Sequence, residues 1–152
     1  MSLPNIFKKE TCEILIQRIE KLTPITNNEW GKMNVSQMLA HCNVTYEMAF
    51  EDIHPKPNFL MEIILKLFVK NSVVNEVPYK KESPTAPAFI IKNEKNFENE
   101  KERLKKYILK SQELGENYFD GKPSLSFGKL TKTEWNNLLY KHLDHHLKQF
   151  GV

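Results

Sequence analysis

The stretch TKTEWNNLLYKHLDHHLKQF, residues 131–150, decides the fold. Thr131 stands at an N-cap position with Glu134 three residues later, the capping-box spacing in which two side chains satisfy each other's backbone amides. Gly151 follows the last turn, where helices commonly need a left-handed residue. No Pro or Gly intervenes, so the pattern predicts a helix of about five turns. At about 100° per residue, Trp135, Leu138, Leu139, Leu143, Leu147 and Phe150 share one broad apolar face. Glu134, Lys141, Asp144 and Lys148 lie opposite. His142 and His146 fall within the apolar face, and His145 falls on its shoulder toward the charges.

An imidazole turned into a core needs partners for its ring nitrogens. Residues at i and i+4 have Cβ atoms about 5–6 Å apart, so His142 and His146 can converge on one cation. In a chain with five His such a pair arises by chance on the order of one time in ten, so the spacing alone is a weak signal, and a lone buried His usually bonds backbone or a carboxylate. Two on the same apolar face favour metal binding over that reading.

The chain has 152 residues, 40% hydrophobic and 27% charged, which predicts a single globular domain over residues 1–152 with a substantial core. The net charge of +3 is spread among interspersed acidic and basic residues, with no nucleic-acid or membrane footprint. Cys12 and Cys42 are too few and too far apart for a disulfide framework and suit a reducing cytoplasm. The opening MSLPNIFKKE lacks the apolar core of a signal peptide. The apolar run from Phe59 to Val69 is broken by Glu62 and Lys66 and is too short to span a bilayer.

Residues 8–22 carry Cys12, Leu15, Ile16, Ile19 and Leu22 at helical spacing, with Pro24 beyond the end. A second helix should start at Asn34, with Gln37 at the capping-box position, and run to about Asp52. Val35, Met38, Leu39, Cys42, Tyr46, Ala49 and Ile53 form its apolar stripe. His41 lies at the stripe's edge, where an ordinary boundary His is the simplest reading. Gln37 and Thr45 lie one turn to either side of it. His54, next to Pro55, reads as an exposed turn residue. Residues 58–70 form a short, very apolar helix suited to core, a pocket cover or a dimer interface. Residues 71–92, with Pro78, Pro84 and Pro87, read as irregular chain: a functional lid or a plain crossover. Residues 94–114 form a third long helix with Phe97, Leu104, Tyr107, Ile108 and Leu114 inward, its charges solvated, and Gly115 as its stop. Residues 116–130 read as a loop. Such an all-α plan of four main helices plus a short extra one makes an antiparallel bundle, whose interior is a usual place for metal sites.

WGKMNVSQMLAHC at 30–42 and SFGKLTKTEWNNLLYKHLDHHLKQFG at 126–151 resemble the DinB-like superfamily, and more closely its branch of unknown function known as DUF1569. The resemblance runs along essentially the whole chain, with those two blocks its specific part. It implies an up-down-down-up four-helix bundle, commonly a homodimer. It also implies a divalent metal, zinc or nickel, held by one His of the second helix and the HxxxH of the last. On this chain these are His41, His142 and His146. Gln37, Thr45 and Gln149 are then candidates for groups around the ligands or in the pocket.

Three neutral imidazoles leave a cation an open position for water or substrate. The resemblance implies an S-transferase-like enzyme acting with a low-molecular-weight thiol such as bacillithiol, mycothiol or glutathione. A metal-dependent hydrolase is the alternative, although the sequence offers no evident general base. A non-enzymatic bundle that binds a ligand or partner is a third reading. Cys42 as a fourth ligand would favour a structural metal, but it points about 100° away from His41 around the helix.

Overall fold

The structure, a computed structural model, describes residues 2–152. Six helices follow one another: α1 (Lys9–Glu20), α2 (Val35–Phe50), α3 (Phe59–Ile64), α4 (Lys70–Val74), α5 (Phe97–Phe119) and α6 (Lys132–Gln149). A π-helical turn, Leu65–Val69, joins α3 to α4, and a 3-10 turn, Pro87–Phe89, lies in the crossover before α5. A small antiparallel hairpin, β1 (Pro123–Ser124) and β2 (Gly128–Lys129), precedes α6. Both expected capping boxes form. Asn34 accepts from the Gln37 amide while the Gln37 side chain accepts from the Asn34 amide, and Thr131 and Glu134 do the same.

The cross-helix bonds give the topology. Ile6 N–H donates to Asn136 Oδ1, and Arg18 donates to Asp144 Oδ1, so α1 runs parallel to α6. Asn43 donates to Glu100, and Glu51 accepts from Tyr107, so α2 runs parallel to α5. Thr45 meets His142 and His41 meets the ring of His146, so α2 is antiparallel to α6. Together these make the up-down-down-up bundle. Leu15, Ile19, Met38, Leu39, Leu104, Ile108, Leu139 and Leu147 are sealed at its centre. Among the described residues no helix is long and apolar enough to cross a membrane.

Several features depart from the sequence expectations. The helix at 58–70 continues through the π turn to Val74, so the irregular stretch starts later than residue 71. Side chains from α6 satisfy the carbonyls at that end. Asn137 Nδ2 donates to Val74 O, and Lys141 Nζ donates to Ser72 O, Asn75 O and Asn75 Oδ1. Lys141 is thereby only 3% exposed although it lies on the charged side of α6, and burial pushes its pKa down to about 8. Ile53 is 62% exposed because α2 ends at Phe50, and Leu114 is exposed beside the kink at Gly115. His54 is not a free turn residue: its Nε2 lies 2.7 Å from Glu47 Oε2. Not all charges of α5 are solvated. Glu100 bonds Asn43 and Arg103, and Lys101 caps the C-terminal carbonyls of α1 at Glu20 and Leu22.

Gly115 breaks α5 rather than ending it, since a further helical turn reaches Phe119. Its φ of 73° and ψ of 170° lie in a region open essentially to glycine alone. A Cβ added there would meet nothing within 4 Å, so Gly115→Ala isolates the backbone cost. Urea unfolding of this variant should show a loss of about 1–3 kcal/mol. Wild-type stability would mean that the kink is not required.

Candidate metal centre

His41 and Thr45, one turn apart on α2, face His146 and His142, one turn apart on α6. One ring nitrogen from each of His41, His142 and His146 lies within 4.8 Å of the others, a set that could hold a metal ion. His41 Nε2 is 3.0 Å from His142 Nε2. His41 and His146 are buried, and His142 is half-buried.

The remaining ring nitrogens are held by the protein. His41 Nδ1–H donates to the carbonyl of Phe89 at 2.8 Å, and His146 Nδ1–H donates to Gln149 Oε1 at 2.8 Å. Because both acceptors lack a proton, Nδ1 carries it in each ring and the Nε2 lone pair is left inward. The orientation of the Gln149 amide is itself set, since Nε2 donates to Trp30 O at 2.8 Å. His142 Nδ1 meets Thr45 Oγ1 at 3.0 Å. A hydroxyl both donates and accepts, so this contact serves either tautomer of His142. Without a cation, His142 Nε2–H can donate to His41 Nε2; its other tautomer turns a third lone pair inward. The residues therefore fit a divalent cation that prefers imidazole nitrogen.

Burial keeps the rings neutral. The pKa of His146 is pushed down to about 3 by desolvation first and by nearby His41 second, against the bond to Gln149. His142 is held well below the usual value by burial and its three His neighbours. His41 is also lowered by burial, which the Phe89 carbonyl partly opposes. Neutral rings have the lone pairs that a cation needs.

The centre opens into a cavity of about 990 Å³. The crossover forms one wall. Tyr79 and Phe89 line it, and the Phe89 ring packs on both His41 and His142, with centroids 5.2 and 5.6 Å apart. The structure thus puts this segment against the site. The π turn contributes Leu65 and Val69, and α6 contributes Leu138.

Of the three residues expected around the ligands, Thr45 and Gln149 bond ligand rings directly. Gln37 also lines the cavity, but its amide is engaged with Asn34 in the capping box. Cys42 is fully buried on the core side, with Sγ against Met38 Sδ, and burial drives its thiol pKa far up. It is no fourth ligand. His145 lines the cavity, edge-on to Trp30 and Tyr79, outside the ligand set. Sequence reasoning missed Phe89, Trp30, His145 and Gly31. The Pro-rich spacing of 71–92 hinted at the first, and Trp30 and Gly31 open the block at 30–42 that carries the resemblance, without a role being read for them.

Fold and site together define a four-helix bundle with a candidate three-His metal centre. The chain belongs to DUF1569, a family of proteins of unknown function whose model matches residues 8–151, within the DinB-like superfamily. No curated protein and no solved structure matches the chain.

Gly31 has φ +82°, and a Cβ there would sit 2.5 Å from Gln149 Nε2. Gly31→Ala should therefore disturb the amide that orients His146. Gly31→Ala and Gln149→Ala should each weaken zinc binding by about 10–100-fold in competition with a chelating dye. Wild-type affinity in Gln149→Ala would remove the orienting role.

Proposed function

We propose that the protein is a divalent-metal-dependent enzyme, S-transferase-like, that joins a low-molecular-weight thiol to a second small molecule. One observation carries this reading: three neutral imidazoles, their outer nitrogens held, converge at the floor of a large cavity. Zinc or nickel bound by His41, His142 and His146 would supply Lewis acidity favouring the deprotonated form of a thiol. In such a transfer the thiol sulfur bonds to an electrophilic carbon. The leaving group departs with the bonding pair, and the thiol proton passes to it or to solvent. The protein's own contribution is positional. Thr45, Gln149 and the Phe89 carbonyl fix the rings, while the crossover wall shields the site from water.

A metal-dependent hydrolase is the second reading. It is favoured by the position of His145, an additional imidazole on the cavity wall beside the centre.

Elemental analysis of protein purified without a metal-affinity tag should find about one divalent ion per chain, lost in His142→Ala. Cobalt-substituted protein should then change its visible spectrum on addition of a thiol. Ester cleavage with no thiol-induced change would instead support the hydrolase. Protein that neither binds metal nor cleaves ester would leave a ligand-binding bundle.

We also propose a homodimer, joined through the outer face of the α3 segment. Phe59, Leu60, Leu67 and Phe68 are exposed there, Phe59 at 81% and Phe68 at 78%. So many large apolar side chains exposed on one short segment are expected to be covered in solution. Light scattering should give twice the monomer mass for wild type and the monomer mass for Leu67→Glu/Phe68→Glu. A wild-type monomer would end this assignment.

A further inference from the structure

The cavity above the imidazoles has a chemistry of its own. Its volume of about 990 Å³ is at the upper end of the range for small-molecule sites, roughly 300–1,000 Å³. Its walls come from distant parts of the chain, yet they agree in character. Met33 and Met48 lie along the α2 side, Val69 and Val73 along the π turn and α4, Phe89 in the crossover, and Leu125 in the hairpin turn. Among the described lining residues, only Lys32 and Glu82 bear full charges, one of each sign, and both are exposed. The polar groups deeper in are neutral: the imidazoles, Thr45 and Gln149, already largely occupied with one another. In metal-free protein a ligand carboxylate or phosphate brought down to the imidazoles would lose its water with no guanidinium or ammonium beside them to replace it, since Lys32 and Lys81, the latter over the Trp30 ring, are both exposed. An apolar ligand surface would gain from the same walls. Two methionines add side chains that adapt to varied shapes.

We infer that this cavity receives a large, uncharged, apolar molecule with its reacting end at the three imidazoles. It would be the non-thiol substrate of the transfer. The assignment as substrate rests on the enzymatic reading above, whereas the ligand class rests on the walls alone.

The chain has two Trp residues, Trp30 and Trp135, and both line the cavity, so their fluorescence reports its occupancy. Straight-chain alcohols from 1-butanol to 1-decanol are the probes, titrated into metal-free and zinc-loaded protein. Affinity should rise roughly fourfold per added methylene in both forms, as expected for burial of apolar surface. Decanedioate, of the same chain length but with two carboxylates, should bind metal-free protein at least about tenfold more weakly than 1-decanol. Met48→Asp and Leu125→Asp, one on α2 and the other in the hairpin turn and both checked for folding by circular dichroism, should each flatten the series. Ile14→Glu, exposed on α1 and away from the cavity lining, should leave it unchanged. A flat series in wild type overturns the inference, as does decanedioate binding as tightly as 1-decanol. A steep series that survives in folded forms of both wall variants overturns it too. His142→Ala separates the two readings: loss of metal uptake with the series intact bears on the centre and not on the ligand class. An intact series in protein that never takes up metal would sink the enzyme reading and leave this one standing.

Discussion

Each imidazole of the centre has one nitrogen engaged by the protein, and that constraint organises the rest. His41 must give its Nδ1 proton to Phe89, and His146 must give its own to Gln149, if their Nε2 lone pairs are to face each other. The partners come from very different places. Phe89 lies in the crossover, Gln149 is on the same helix as His146, and Thr45 reaches across from α2. Gln149 in turn holds the Trp30 carbonyl, which ties the segment before α2 to the end of α6. The glycine beside it, Gly31, lets the backbone come that close.

The topology explains how the crossover comes to serve the site. Parallel neighbours in a bundle cannot be joined by a tight turn, because the chain must return the full length of the helices. The α2–α5 pair is parallel, so residues 51–96 have to travel back along the bundle. They do so over the opening between α2 and α6. The Lys141 and Asn137 side chains anchor this segment at the end of α4. The π turn just before that point sets Leu65 and Val69 into the cavity wall, in keeping with the frequent use of such turns near functional sites. The same segment turns Phe59, Leu60, Leu67 and Phe68 outward, so it has two apolar sides.

Away from the centre, the interface between α2 and α5 is unusually polar for a bundle. Asn43, Glu47, Glu100 and Arg103 form a connected set, extended by His54, and Tyr107 bonds Glu51. Groups of this kind are costly to bury unless paired, so they favour one register between two parallel helices over its neighbours. His41 lies on a different face of the same helix, toward α6.

Local signals were enough for the helices and for a bundle of them, whereas the up-down-down-up order came from the resemblance. Capping residues at Asn34 and Thr131 marked helix starts, and apolar spacing marked the inward faces of α1, α2 and α6. These are short-range properties, so a single chain displays them. Resemblance, rather than periodicity, pointed to His41, whose place at the edge of its stripe looked ordinary. Local reading failed where a distant segment changed a residue's surroundings. Lys141 appeared solvated until the end of α4 covered it, and His145 appeared peripheral until Trp30 and Tyr79 closed around it. The sequence by itself placed His142 and His146 on one apolar helix face, because helical geometry depends only on near neighbours. Only the tertiary structure decided which nitrogen of each ring is free and what wall stands over the centre. Both depend on contacts between segments far apart in the chain.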